Sequence, residues 1–576
     1  MPRMPHHPTF MTRRRFLRME NRVSHFGDGA RLAPWGAVMP ADSSKGIPSP
    51  SQTPSAEWIA LNRMAYGPRV GDVERMRRLG LARYVDEQLN PVDTDDTVCQ
   101  TRLKSARLHI EFEKSKDSPA LKEDRSLLNL NKFLGQLWKL TIEGSPMAYE
   151  ERVRPAQEVQ VAAWIRAVYS KWQLREVLVE FWHNHFNVNV DVDEKVAATW
   201  PIYDREVIRK NCFGNFRQFL EDVARSIAMQ YYLNNVSSRA SPANENYARE
   251  LFELHTLGAG NYFNHLYNRW RNVPGATEGK PIGYIDQDVY EAARAFTGWT
   301  IADGTDSGRG EIFPNTGEFH YFEGWHDNYQ KRVLGVEFDP NQPPMADGRK
   351  VLDLVANHPA TAQYVCTKLC RRLVADDPPD ALVKRAAQKW METRDKPDQI
   401  KQTLRVILLS PEFSSTWGQK VKRPFELFVS FLRAIDADFM PNDNIFYTVT
   451  QMGYRMFRWP TPTGHPDVAH TWLSTNVMLG RWNTLLNLAA DGMGTTTLEP
   501  HKVIPESQNT PQQIVNFWCE RMLGNTSSQE TRRTLVDYLR QDGKPDEPMD
   551  RKADDFADRV KYLVASIGMT PEFQRR

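Results

Sequence analysis

Two imidazoles two residues apart give this chain its most direct route to chemistry. They lie in Phe181-Trp182-His183-Asn184-His185-Phe186-Asn187-Val188. A helical pattern stops near Trp182. Phe186, Val188 and Val190 then alternate with Asn187, Asn189 and Asp191, which predicts an extended segment. Residues two apart on such a segment share a face, so His183 and His185 would reach one ion, zinc or a similar divalent metal. That ion would need a carboxylate or a third histidine from elsewhere in the chain. The competing reading is a His-x-His pair that binds no metal, which is common.

The missing ligands are available in Asn244 to Gly258, a predicted helix of about four turns. At about 100° per residue, Glu245, Arg249, Glu253 and Thr256 form one stripe, and Glu250 borders the face made by Tyr247, Leu251 and Leu254. His255 falls on the apolar side with Ala248 and Leu251, and Gly258 stops the helix. Arg249 and Glu250 are the catalytic candidates of this stretch; Glu253 and His255 are the metal-ligand candidates. A purely structural account also exists: Glu245, Arg249 and Glu253 as an ion-pair ladder and His255 as a core histidine.

Gly324-Trp325-His326-Asp327, ahead of Lys331 and Leu334-Gly335, sets an adjacent base and acid in a Gly-rich aromatic loop. His326 and Asp327 suit acid/base catalysis, and a turn closed by an Asx-type hydrogen bond also explains them. His358, before Pro359, fits a helix cap. Asp467, at the end of Pro462-Thr463-Gly464-His465-Pro466-Asp467, fits a charge partner for the next helix N-terminus. There is no G-x-S-x-G elbow, no Walker A loop and no G-x-G-x-x-G loop, so serine hydrolase, P-loop NTPase and Rossmann dehydrogenase readings are weak.

The elements that must position these groups are helical. Apolar residues recur at helical spacing from Trp58 onward, through a long region at 150–182 and further segments at 204–232, 244–257, 286–299, 349–373, 380–393, 397–409 and 424–435. The expected fold class is mainly α, one large multi-helical core over residues 57–576. A small β-hairpin and loop region is expected near 301–338, a loop insertion at 259–285, and a charged loop or exposed helix end at 112–126. Ser410-Pro411 and Thr570-Pro571 both predict helix starts. Residues 1–56 form a tail and linker, rich in Ser and Pro from Ala41 to Ala56.

Bulk properties narrow the classes. The 576 residues carry a net charge of +2, which argues against a nucleic-acid or anionic-membrane partner. Five cysteines exclude a dense disulfide scaffold, and Cys366 and Cys370, one helical turn apart, fit a core. No apolar run reaches about 18 residues, so no integral membrane segment is expected. Thr12-Arg13-Arg14-Arg15-Phe16-Leu17-Arg18 resembles a twin-arginine export motif, but Glu20, Arg22, Asp28 and Arg31 break the apolar segment that should follow. The alternatives are a degenerate export signal, giving a periplasmic or extracellular protein, and a basic tail on a cytoplasmic one.

Several stretches together carry a family resemblance. They are Leu61-Asn62-Arg63-Met64-Ala65-Tyr66-Gly67-Pro68, Phe181 to Val188, Asn244 to Gly258, and Asp288 to Thr300. His326-Asp327 with Lys331 to Gly335, His358 to Ala362, Lys422-Arg423-Pro424-Phe425-Glu426 and Gly464-His465-Pro466-Asp467 continue the series. In this order they resemble the large bacterial family catalogued as domain of unknown function 1800, from about residue 57 to the C-terminus. The resemblance implies a largely helical protein, often exported. It also implies a gene neighbour from a second exported family, domain of unknown function 1501, as a candidate partner. It brings no agreed reaction or catalytic residues. The longer 259–285 insertion and the broken signal region depart from the family pattern.

The leading expectation is an exported, metal-assisted hydrolase acting on a polymer or its modification. The rival is a non-enzymatic helical scaffold that binds a partner protein. A third reading is an oxidoreductase with a cofactor among the Trp and His residues. Geometry separates the first two: a hydrolase of this kind would gather Arg249, Glu250, His183 and His326 around one open pocket, whereas a scaffold would hold them in separate sealed networks.

Overall fold

Apolar residues at helical spacing run from Ala56 to the C-terminus, and helices form most of the structure there. A computed structural model describes residues 53–576 apart from 116–117, 143–147 and 525. The chain divides after Ser49; Pro50–Arg576 forms one unit, and the Thr12–Arg18 run lies outside the described residues. One apolar cluster extends through this unit from Ala60 to Phe573. A small satellite of Leu266, Val273, Ala276 and Ile285 gives the 259–285 insertion its own apolar centre among short 3₁₀ turns. All five cysteines are free and buried. Among the described residues, no helix is long and apolar enough to cross a membrane.

The central pair of helices is Tyr149–Tyr169 followed by Gln173–His185. Trp164, Ile165 and Val168 of the first, and Leu174, Val177 and Leu178 of the second, are buried in the main core. The turn between them is fastened by side chains. Gln173 Nε2 donates to the carbonyls of Ala167 at 3.0 Å and Ser170 at 2.8 Å, and Gln173 Oε1 accepts from the Tyr66 amide at 3.2 Å. The second helix continues one turn past the expected stop, with the Phe186 amide bonded to the Trp182 carbonyl at 2.9 Å. The apparent alternation after Trp182 has a different origin: Phe186, Asn187, Val188 and Val190 are all buried, so no exposed face sets a period.

Two of the helices are locally wider than α. Tyr203–Arg209 and Leu251–His255 are π-helical. The first follows Pro201, which lacks the amide needed for the ordinary ladder. The second ends at Thr256 and Gly258, where the Gly258 amide reaches back to the Phe252 carbonyl at 3.0 Å. Single-turn π segments are uncommon and recur at functional positions.

Strands are confined to three two-stranded antiparallel sheets among the described residues. The hairpins Trp299–Asp303 with Asn315–Tyr321, and Lys331–Val333 with Val336–Phe338, occupy the region expected near 301–338. Leu334 and Gly335 both have positive φ, the backbone of a tight two-residue hairpin turn. Arg107–Phe112 pairs with Leu121–Ser126, so 121–126 is a strand in place of the charged loop or helix end expected there. Only the first strand has an apolar face, Leu108 and Ile110. The second is held by charge pairs such as Lys122–Glu111 at 2.9 Å, so its sequence shows no period-two hydrophobicity.

The 349–373 region is two helices, Ala346–Ala356 and Pro359–Leu373. They are split at His358, whose side chain accepts from the Ala360 amide at 3.0 Å and caps the second. Ser410 and Thr570 cap their helices through hydroxyl oxygens as expected.

Gly258 is the most demanding backbone position near the candidate residues. Its φ is +88°, and a Cβ there would lie 2.6 Å from Tyr364 Cδ2. Gly258→Ala is expected to destabilise the protein by about 2–4 kcal/mol, from backbone strain and displacement of the ring. Guanidinium unfolding of the two proteins measures this, and a loss under about 1 kcal/mol would contradict it.

Candidate functional site

Because the helix Gln173–His185 runs to its last residue, His183 and His185 lie about 200° apart around it and face different neighbours. The expectation that they share a face is therefore overturned. His183 is turned toward the first π-helix, where its Nε2–H donates to Asp204 Oδ1 at 3.0 Å. Asp204 Oδ2 accepts from Arg209 Nε at 2.9 Å, and Arg209 makes a fork to Glu176 at 3.1 and 2.8 Å. Burial raises the Asp204 carboxyl, but Arg209 and the His183 contact more than offset this and hold it well below the carboxylate range. His183 Nδ1 is buried and has no protein partner. The ring packs against Phe457, Trp200 and Tyr203.

His185 is turned toward the second π-helix. Its Nε2–H donates to the His255 backbone carbonyl at 3.1 Å. Burial, with the charges of Lys368 and His255, pushes His185 well below the ordinary histidine value. His255 is fully buried, with neither ring nitrogen bonded to a protein group, and burial with Lys368 pushes it down to about 3. Both rings are neutral core histidines at physiological pH, with centroids 6.3 Å apart.

Beside His183 is a cavity of ≈ 40 Å³, lined by Glu176, Asp204 and Arg209 and also by Glu180, Tyr454 and His465. That volume suits two or three waters, by the rule of about 10–15 Å³ each. Its half-buried wall includes Glu180, Asn184 and Phe457. Glu180 accepts from Tyr454 Oη at 2.9 Å and Arg423 Nη2 at 2.7 Å. Asn184 and His465 clamp each other. Asn184 Nδ2 donates to the His465 carbonyl at 2.8 Å, and Asn184 Oδ1 accepts the His465 amide at 2.6 Å and its Nδ1–H at 3.2 Å. Gly464 permits this approach: its φ is +70°, and a Cβ would fall 2.2 Å from the Asn184 carbonyl oxygen.

Four of the stretches singled out in the sequence therefore meet at this cavity: Leu61 to Pro68 through Tyr66, Phe181 to Val188, Lys422 to Glu426, and Gly464 to Asp467. Behind it Glu426 is paired with Arg372, Arg423 and Arg576. Asp467 pairs with Lys420 at 3.1 Å, an ion pair within this network and not the helix-end partner expected.

The Asn244–Gly258 stretch presents its other acids away from this network. Arg249 pairs with Glu245 at 3.4 Å and with Asp286 at 3.5 Å. Glu253, expected to complete a ladder with them, lies in the π-helix and is not among the acids that Arg249 pairs with. Glu250 is half-buried and bonded to no described residue; burial and the Glu253 charge push it up to about 7, against the opposing pull of Arg249.

His326 and Asp327 form a third network. His326 Nδ1–H donates to the Thr297 carbonyl at 2.8 Å, and Nε2 lies 3.3 Å from Asp347 Oδ2. Lys331 Nζ reaches the same Asp347 oxygen at 2.7 Å. Asp327 takes the Arg294 fork at 2.7 and 3.0 Å and accepts the Tyr329 amide at 3.0 Å, the Asx turn anticipated for it.

The proposed metal ligands are thus divided. His183 belongs to Asp204, His185 and His255 are sealed in aromatic packing, and Glu253 stands on a half-buried outer face. Among the described residues, no three His, Cys, Asp or Glu side chains are grouped to hold a metal ion. The residues do not fit a zinc-type site.

A family model described as a protein of unknown function, DUF1800, matches residues 59–575. The chain belongs to the DUF1800 family. No curated protein and no solved structure matches it. In this DUF1800 protein the charged and polar groups around His183 that no sequence motif marks are Asp204, Arg209, Glu176, Glu180 and Tyr454. Asp204 and Arg209 are five apart, about 140° around an α-helix, so an α pattern separates them; the π turn brings them to one face.

Glu250 gives a pH test. A carboxyl raised from 4.5 to about 7 in the folded state binds its proton more tightly there than in the unfolded chain. Its contribution to stability is fully present below 4.5 and lost as pH rises through 7. Glu250→Gln should remove that part of the decline between 4.5 and about 7. Denaturant unfolding across this range checks it; identical slopes for both proteins would refute it.

Proposed function

We propose that this DUF1800 protein is a hydrolase whose reacting water lies beside His183, and that it removes a small substituent, such as an ester-linked acyl group, from a polymer. The observation that carries this reading is the His183–Asp204 pair at a cavity of ≈ 40 Å³ whose mostly apolar wall carries Glu176, Glu180 and Arg209, with His183 Nδ1 free of any protein partner. Asp204 holds Nε2–H and so fixes the tautomer, leaving a lone pair on Nδ1 to take a proton from water. The resulting hydroxide oxygen bonds to the acyl carbon. The Nδ1 proton passes to the departing alkoxide oxygen, and the imidazole is regenerated. Arg209 keeps Asp204 ionised throughout, and the Asn184–His465 clamp fixes the cavity wall. A space this small supports entry of an acyl group over a whole sugar or peptide unit. The chemistry runs on the His–Asp pair without a metal ligand set, which replaces the metal-assisted version expected from the H-x-H spacing. The Thr12–Arg18 run supports export, where polymers of this kind are found.

One observation favours the scaffold reading. Arg249, His183 and His326 lie in separate networks, and Glu250 is bonded to no described residue. Under that reading the buried networks fix a rigid surface for a partner, and a domain of unknown function 1501 protein is the candidate.

One experiment separates the two. A panel of acetylated and otherwise esterified polysaccharides is incubated with wild-type protein, His183→Gln and Asp204→Asn. The hydrolase reading expects release of acid by wild type and a loss of about 10²–10⁴-fold in both variants, with unchanged circular dichroism. No release by wild type, or full activity in folded His183→Gln, would leave the scaffold reading standing.

A further inference from the structure

A second pocket, ≈ 280 Å³ in volume, is lined by Tyr203, Glu206 and Val207 of the π-helix that carries Asp204, and by Lys210 just after it. It takes no part in the His183 chemistry. Its apolar floor is formed by Ile202, Val207, Ile227 and Phe319.

The charges around it are not equally occupied. Asp222 already accepts from Asn211 Nδ2 at 2.9 Å, Gln218 Nε2 at 2.8 Å and Lys210 Nζ at 3.5 Å. Glu206 is paired with Arg205 at 2.6 Å. Arg225 differs. Its guanidinium lies 4.7 Å over the Phe319 ring and donates no hydrogen bond to a described residue. Its acid neighbour, Glu221, is 3.9 Å away and is held more closely by Arg217 at 2.9 Å and Arg349 at 3.1 Å. The pocket thus combines an apolar floor with one cation whose donors are unused, while both acids are engaged. That pairing complements an anion attached to an apolar body; a guanidinium takes a carboxylate through two parallel hydrogen bonds.

We propose that this pocket binds a small amphiphilic carboxylate, its head on Arg225 and its apolar body on the floor beside Val207 and Ile227. A ligand there presses on the π-helix that carries Asp204, so the two sites share one element.

Titration calorimetry on the whole protein with octanoate, octylamine and octanol tests the proposal. Octanoate is expected to bind one to one and more tightly than octanol, with no binding of octylamine. Arg225→Gln, at a half-exposed position away from the His183 cavity, is expected to weaken octanoate at least about tenfold and to leave octanol unchanged. The proposal is overturned if octanoate does not bind, if octylamine binds as tightly, or if Arg225→Gln binds octanoate like wild type. These outcomes are independent of whether the protein hydrolyses any ester.

Discussion

The structure turns on one helical constraint: Gln173–His185 stays helical through its final residue. Two residues on a helix point nearly opposite ways, so His183 and His185 are divided between two environments. Each is then fixed by a different π-helix. Asp204 of Tyr203–Arg209 accepts from His183, and the carbonyl of His255, at the end of Leu251–His255, accepts from His185. One histidine is joined to charge and a hydrated-sized cavity; the other is enclosed among Phe181, Trp182 and Phe186. The chemical difference between them follows from this division and not from their identity.

Around this centre the protein buries an unusual amount of charge. Glu176, Glu180, Asp204, Arg209, Arg372, Arg423 and Glu426 all lie at or near the cavity, and nearly all are paired. Such pairs add little net stability over apolar packing, yet removing one partner costs about 3–5 kcal/mol because the other is left uncompensated. The network therefore acts as a specification device: it holds the helix Gln173–His185, the helix after Pro424 and the loop at Gly464 in one arrangement. An acid/base centre needs that rigidity, since a histidine is useful only while its tautomer and direction are fixed.

Much of the architecture was legible from residue patterns. The mainly helical class, the hairpins near 301–338 and the caps at Ser410 and Thr570 follow from periodicity and capping chemistry. The hairpin at 107–126 was hidden because its second strand has no apolar face. The site was legible only in part. His183 was visible as a motif, but its partner Asp204 was not, because Asp204 and Arg209 share a face only in a π turn, which periodicity does not reveal. The ladder of Glu245, Arg249 and Glu253 is incomplete because Arg249 turns to Asp286, a residue that spacing within the helix does not reveal. Convergence of Phe181 to Val188 with Lys422 to Glu426 and Gly464 to Asp467 joins segments more than two hundred residues apart, and spacing along the chain carries no trace of it.

The central claim is that His183 and His185 belong to separate networks. Selective ¹⁵N labelling of histidine, with spectra of wild type and Asp204→Asn, measures this directly. The separation predicts that both rings report Nε2–H tautomers and that His185, pushed down by burial, is neutral at physiological pH. It also predicts that Asp204→Asn shifts the His183 signals while leaving those of His185 in place. An equal response of both rings to Asp204→Asn would contradict it.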